Sequence, residues 1–365
     1  MNFLEGENPL RPTPRTAAAA VVTALLVLAG GALIRPAPPT LSTAERGDPQ
    51  LLDRARPLFT DESRDLVSIV EIDEGTTATA HFGADDDTDY ELGSISKAMT
   101  ALLLADAIER GEVGEDTELG QILDMEGTPA AEVTLAELAS HRSGMPYLPD
   151  RLPDRVGMGV LNFLALNPYI ADTDTVIDQA AAASLEGRGE FTYSNLGFAV
   201  LGHAVAEAAG TDYPSLFRER LLKPLGMDDT TLPATSSELP DDATSGNSDR
   251  GHTGVPWTVD GYAPMGGVRS TSADMERFAR ALLEGTAPGI QALEPRWDDG
   301  RGEEVGLGWF TLDLDGTDIT WHNGIGRSFT SMILLDREAE RAVVVLNNTG
   351  IDVDAEGLEL IGEHS

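Results

Sequence analysis

Residues Ser94-Ile95-Ser96-Lys97 stand where the hydrophobic pattern of the chain changes from a strand period to a helical one. Upstream, residues 66–72 and 78–82 read as two strands, and Asp73-Glu74-Gly75 between them predicts a hairpin. Downstream, Ile95, Ala98, Met99, Leu102, Leu103 and Ala105 recur at helical spacing until Gly111, so Ser94 opens a helix. Residues 112–235 read mainly as helices and loops, with helical runs at 135–140, 176–185, 196–209 and 213–222. Residues 235–253 lack periodicity and are rich in Ser, Asp, Gly and Pro, which predicts a loop; 273–283 is a helix, and a second loop covers about 288–304. Four strand-like runs close the chain, at 307–314, 319–322, 329–335 and 342–346. A hairpin first, helices in the middle and strands last predict an α+β fold. One antiparallel sheet is built from both chain ends, about 61–92 and 256–350, flanked by helices, with a mainly helical region at about 94–235 inserted.

The ends are read separately from this domain of residues 61–350. Residues 17–34 carry no charge and follow Arg11 and Arg15, the pattern of an export signal. Eighteen residues at about 1.5 Å each span roughly 27 Å, so an uncleaved membrane anchor fits as well as a removed signal peptide. Both stay open for 1–35, and both put the rest of the chain outside the cytoplasm. Residues 36–60, opening on Pro36-Ala37-Pro38-Pro39, read as a Pro-rich linker, and 351–365 as a tail or short helix.

Composition narrows the chemistry. Of 365 residues, 62 are acidic and 25 basic, a formal net charge of −37 that repels nucleic acid and anionic membranes. The absence of Cys removes disulfides, thiol nucleophiles, iron–sulfur clusters and thiolate zinc sites. Lysine occurs at two positions, Lys97 and Lys223. Lys97 lies one helical turn from Ser94 on the same face, and both the helix N-terminus and desolvation favour its neutral form, which can take the Ser94 proton. Tyr193-Ser194-Asn195, just before an apolar helix, offers a phenol to relay a proton and a carboxamide to hold a substrate amide. A His-x-Gly element occurs three times, at His81, His252 and His322. Context selects His322-Asn323-Gly324, which lies on a strand of the closing sheet.

These elements, in this order, resemble the serine β-lactamase and penicillin-binding protein superfamily, in the branch of class C β-lactamases and D-alanyl-D-alanine carboxypeptidases. The likeness runs from about Asp61 to Asn347. It is carried also by Tyr90-Glu91-Leu92-Gly93, His141-Arg142-Ser143-Gly144-Met145-Pro146, Lys223-Pro224-Leu225-Gly226-Met227, Gly266-Gly267-Val268-Arg269-Ser270-Thr271 and Leu307-Gly308-Trp309. The resemblance implies a β-lactamase/transpeptidase-like fold and a serine hydrolase that forms an acyl-enzyme on D-alanyl peptide or β-lactam amides. It makes Ser94 the nucleophile, Lys97 and Tyr193 the proton carriers and Asn195 the group that orients the substrate amide. His322 takes the place of a lysine found in many members, and the backbone N–H groups of Ser94 and Ile325, beside Gly324, form the oxyanion hole. It requires no cofactor or metal.

The run after Gly324 departs from the family, because Ile325 adds bulk beside the oxyanion donor and Arg327 sets a cation at the strand end. Arg327 is assigned to a substrate carboxylate, against the alternative of a solvated surface residue. Two further readings use the same fold: a short-chain esterase, and a non-catalytic cell-surface binding or sensor protein. The expected partner is a small molecule or peptide acted on by a monomer, without nucleic acid, and with membrane contact through 17–34 if that segment is retained.

Overall fold

The computed structural model describes residues 36–60, 62–164 and 166–363. The apolar run at 17–34 lies outside the described residues, and among those described no helix is long and apolar enough to cross a membrane. From residue 39 onward the chain forms one unit. It begins with β1 (Glu45–Gly47), α1 (Pro49–Leu58), the hairpin β2 (Val67–Asp73) and β3 (Thr76–Phe82), and the short β4 (Asp89–Glu91). The helical region follows: α2 (Ile95–Glu109), α3 (Leu135–Ala139), α4 (Leu152–Phe163), α5 (Thr173–Ala181) and α6 (Asn195–Ala208). After the single turn Ala263–Gly266 come β5 (Arg269–Thr271) and α7 (Ser272–Leu283). The chain ends with β6 (Trp297–Asp298), β7 (Glu304–Val305), β8 (Phe310–Leu314), β9 (Thr317–Ile325), β10 (Thr330–Asp336), β11 (Arg341–Asn347) and α8 (Asp354–Gly362).

Among the described residues the large sheet has the order β1-β3-β2-β11-β10-β9-β8-β7-β6, and every pairing is antiparallel. The two chain ends meet where β2 pairs with β11, Val70 opposite Val344. Alternate side chains of these strands enter two different cores. Val67, Ile69, Val343 and Val345 pack with Leu51, Leu52 and Phe59 of the α1 segment and with Leu360 and Ile361 of α8. Val70, Ile72, Val344 and Leu346 pack with α2, α6 and α7 on the opposite face. A strand buried on both faces reads as a continuous apolar run, which is why residues 329–335 and 342–346 showed no polar alternation.

Two readings from the sequence are corrected and one helix went unread. Residues 45–60 are not a linker: β1 pairs with β3, Asp48 Oδ1 accepts from the amides of Gln50 and Leu51 at 2.9 Å each, and α1 buries Leu51, Leu52 and Ala55. That helix covers the sheet with a narrow stripe, which Asp53, Arg54, Arg56 and Pro57 hide from a periodicity count. The loop at 288–304 contains β6 and extends through β7 to complete the sheet edge. Residues 152–163 form α4, although Pro153, Gly157 and Gly159 obscure its helical pattern.

Candidate active site

Gly93, at φ +50°, turns the chain from β4 into α2, so Ser94 occupies the N-cap position of a helix buried between the sheet and α6. A serine there ordinarily spends its oxygen on an amide of the first turn. Ser94 makes no capping bond; its Oγ lies 2.9 Å from Lys97 Nζ instead. Lys97 is fully buried, and Nζ donates to the carbonyl of Met265 at 2.7 Å, a group presented by the turn Ala263–Gly266. Burial pushes its amine well below the ordinary value of 10.5. A neutral Lys97 holds a lone pair against the Ser94 hydroxyl, the arrangement a general base requires.

Tyr193 is set beside this pair from the segment leading into α6. Lys97 Nζ stands 5.1 Å from the centre of its ring, and its phenol is hydrogen-bonded with Ser94. Burial raises the phenol's pKa, and the Ser94 bond partly offsets that rise. His141, fully buried, stacks on the Tyr193 ring at 4.2 Å and 27°. Its Nδ1 accepts from the Ser194 amide at 3.1 Å, and its carbonyl accepts from the Thr192 amide at 2.7 Å, so His141 grips the backbone on both sides of Tyr193. Ser194 caps α6 through Gly197 N at 2.9 Å and donates to the carbonyl of Pro146 at 2.7 Å. Asn195 Nδ2 donates to Tyr169 Oη at 3.3 Å, while its buried Oδ1 has no partner among the described residues. An orphaned carboxamide oxygen in a cleft is available to a ligand N–H.

The third wall is the end of β9. Gly324 passes so close to the α2 entrance that a Cβ there would lie 2.0 Å from the carbonyl oxygen of Leu92, which excludes every side chain. Ser331 on β10 donates to that same carbonyl at 2.9 Å and holds the strand end down. A Cβ built on Gly93 would be 3.4 Å from Ile325 N, so the Ile325 amide lies alongside the start of α2. His322 is buried; its Nδ1 donates to the carbonyl of Asn323 at 2.6 Å, leaving Nε2 as a lone-pair acceptor without a partner among the described residues. Desolvation first, and the Lys97 charge second, hold its pKa down at about 3. His322 is therefore a neutral acceptor at working pH. Arg327 lies beyond, exposed, on the wall of the adjoining cleft.

Ser94, Lys97, Tyr193, Asn195, Gly324 and Ile325 thus meet at one place, with His322 close enough to Lys97 that a proton on the amine would disfavour one on the imidazole. The other two His-x-Gly elements stand apart: His81 is bonded to Ser68 Oγ and Asp86 at 3.0 Å each, and His252 is exposed in a loop. Sequence reasoning missed the supports. Glu91 Oε1 accepts from Trp257 N and from the buried Arg269 Nη1, both at 2.9 Å, which fixes Trp257 over the cleft. Glu91, His141 and Arg269 all lie inside the signature stretches quoted above. Tyr169 and Trp257 lie in segments with no periodic pattern, and nothing local marks them.

A family model described as beta-lactamase matches residues 56–363. The D-alanyl-D-alanine-carboxypeptidase/endopeptidase AmpH of Escherichia coli K12 is 28% identical over 204 residues, 54% of this chain and 49% of that protein. The chain therefore spans about half the length of that relative. Penicillin-binding protein 4 of Amycolatopsis lactamdurans is 27% identical over 302 residues, 73% of each chain. Among solved structures, a class C beta-lactamase superposes with a TM-score of 0.74 at 16% identity, over 87% of this chain and 97% of its own. The D-alanine carboxypeptidase AmpC from Burkholderia cenocepacia gives 0.72 at 20% identity, over 86% and 97%. These two share the fold with this chain: a large antiparallel sheet flanked by helices.

Proposed function

Because the chain belongs to the beta-lactamase family, we propose that it is a serine hydrolase that forms an acyl-enzyme on the amide bond of a D-alanyl peptide or a β-lactam. One observation carries this reading: a fully buried lysine 2.9 Å from a serine that has given up its capping bond. Lys97 accepts the Ser94 proton as Oγ bonds to the carbonyl carbon. The oxyanion that develops is held by the backbone N–H groups of Ser94 and Ile325. Tyr193 relays the proton held by Lys97 to the departing nitrogen as the C–N bond breaks, which returns both side chains to their starting states, and water later hydrolyses the ester at Ser94. Asn195 Oδ1, orphaned in the free protein, accepts from the substrate amide. His322, neutral, supplies an acceptor at Nε2, so the positive charge for a substrate carboxylate falls to Arg327. The apolar run at 17–34 behind Arg11 and Arg15 supports an extracytoplasmic catalytic part.

Intact mass after incubation with a β-lactam tests the acyl-enzyme. The expected result is a covalent adduct on the parent protein and none on Ser94→Ala; no adduct together with no consumption of the β-lactam overturns the penicillin-recognising reading. A long-lived adduct marks a D-alanyl peptidase and a short-lived one a β-lactamase, while an adduct with no hydrolysis of β-lactam, D-alanyl peptide or ester identifies a sensor or binder. For Arg327→Ala the expected change is a raised KM toward a carboxylate-bearing substrate, and an unchanged KM ends that assignment.

A further inference from the structure

The cavity at Ser94 is small, about 60 Å³, and adjoins a second of about 680 Å³. Tyr147, Tyr169, Trp257, Ile325 and Gly326 line both, so the larger cavity is reached directly from the reacting atoms. Its size lies within the range of about 300–1,000 Å³ typical of sites that enclose a whole small ligand. Beyond the shared residues its wall is largely apolar: Leu148, Met158 of α4 and three prolines face it, with Arg155 and Asp150 as polar exceptions alongside Arg327. Gly159 of α4 leaves this wall open, since a Cβ built there meets no atom within 4 Å. Ile325 is 59% exposed at the boundary of the two cavities, an apolar side chain waiting to be covered beside the proposed oxyanion amide.

We propose that the substrate carries a bulky apolar acyl group, which fills the larger cavity against Leu148, Met158 and Tyr169 and covers Ile325. This rests on the acyl-enzyme reading above. Asn195, which in that reading orients the substrate amide, is hydrogen-bonded to Tyr169, a residue of the cavity wall, so the cavity opens beside the bond that reacts. A polar peptide side chain would leave Leu148, Met158 and Ile325 facing unsatisfied polar groups; an alkyl or aromatic acyl group removes apolar surface from water on both sides of the contact.

The test uses p-nitrophenyl esters of increasing acyl length, acetate to hexanoate, on the full chain. The expected kcat/KM rises about three- to fourfold per added methylene. In Gly159→Phe, whose ring occupies the open space, the hexanoate-to-acetate ratio of kcat/KM falls tenfold or more. Gly159→Leu serves as the second variant should the first not fold. A flat response in the parent, or an unmoved ratio in a folded variant, overturns the proposal. Calorimetric binding of the same esters to Ser94→Ala separates the two ideas. Tighter binding of hexanoate that is lost on adding Gly159→Phe upholds the apolar site even if the parent forms no acyl-enzyme. Equal binding of acetate and hexanoate overturns the site even if Ser94 acylates normally.

Discussion

Helices α2 and α4 are both rich in apolar residues, and they meet opposite surroundings. Every residue of α2 from Ile95 to Ala107 is buried, packed against α6, the sheet and the turn Ala263–Gly266. In α4, Leu152, Val156 and Val160 recur every four residues and are 74, 56 and 52% exposed. Dense burial around α2 is what lowers the Lys97 pKa and fits it to the proposed role of base: the same exclusion of water that stabilises the helix destabilises its ammonium. The looser seating of α4 leaves Gly159 open and a cavity beneath it. One helix supplies chemistry by being enclosed; the other shapes the space a substrate enters.

That contrast can be broken at Lys97 first. Lys97→Ala is expected to lower the rate of acylation by about 10²–10⁴-fold, the usual share of a general base, in stopped-flow or mass-resolved acylation by a β-lactam. A loss below tenfold would mean that another group takes the Ser94 proton. In the parent, kcat/KM should rise with pH as Lys97 loses its proton, with a midpoint well below 10.5, because burial lowers its pKa. His322, held at about 3, should add no inflection above pH 5, and a step near 6.5 abolished by His322→Asn would show it to be solvated and titrating.

The packing side of the comparison predicts unequal costs for truncating apolar side chains in the two helices. Leu103→Ala in α2, at 1% exposure, is expected to cost about 2–5 kcal/mol in chemical denaturation, from lost burial and a residual cavity. Val160→Ala in α4 should stay within about 0.5 kcal/mol. Similar losses at the two sites would mean that α4 is covered in solution. His141→Ala falls between these classes. Removing the ring stacked on Tyr193 and the acceptor of the Ser194 amide should slow acylation more than it weakens substrate binding, read as a fall in kcat at little-changed KM.

A modest, pH-dependent effect is expected at the outer end of the site. Asp354 accepts from Asn323 Nδ2 at 2.6 Å, and burial, with Asp352 next, pushes its carboxyl up to about 7 from the ordinary 3.8. A pKa raised by folding contributes stability below about pH 4 that is lost as pH rises through 7. Asp354→Asn should therefore gain on the parent between pH 5 and 8 by about 1 kcal/mol, discounted for partial exposure, in denaturation at both pH values. A gap that does not change with pH would place the Asp354 pKa at an ordinary value.

The sequence by itself determined the order of elements and the candidate groups that the fold brings together. A change of hydrophobic period at Ser94, two lysines in the whole chain and a strand-borne His322-Asn323-Gly324 are local facts, and local spacing sets which side chains share a helix face or a strand. The linker reading of 45–60 failed, and α4 went unread, because a helix that covers a sheet by three or four side chains, or carries glycines into a cleft, has too weak a pattern to stand out from its charges and breakers. Only tertiary structure decided that His322 is neutral, that His141 holds Tyr193, and that Glu91 and Arg269 fix Trp257. Each of these depends on desolvation or contact between segments from about fifty to nearly two hundred positions apart, such as His141 with Tyr193 and Glu91 with Arg269. Neither burial nor a partner that distant is encoded in spacing; both exist only once the two ends of the chain have closed the sheet around the helical region.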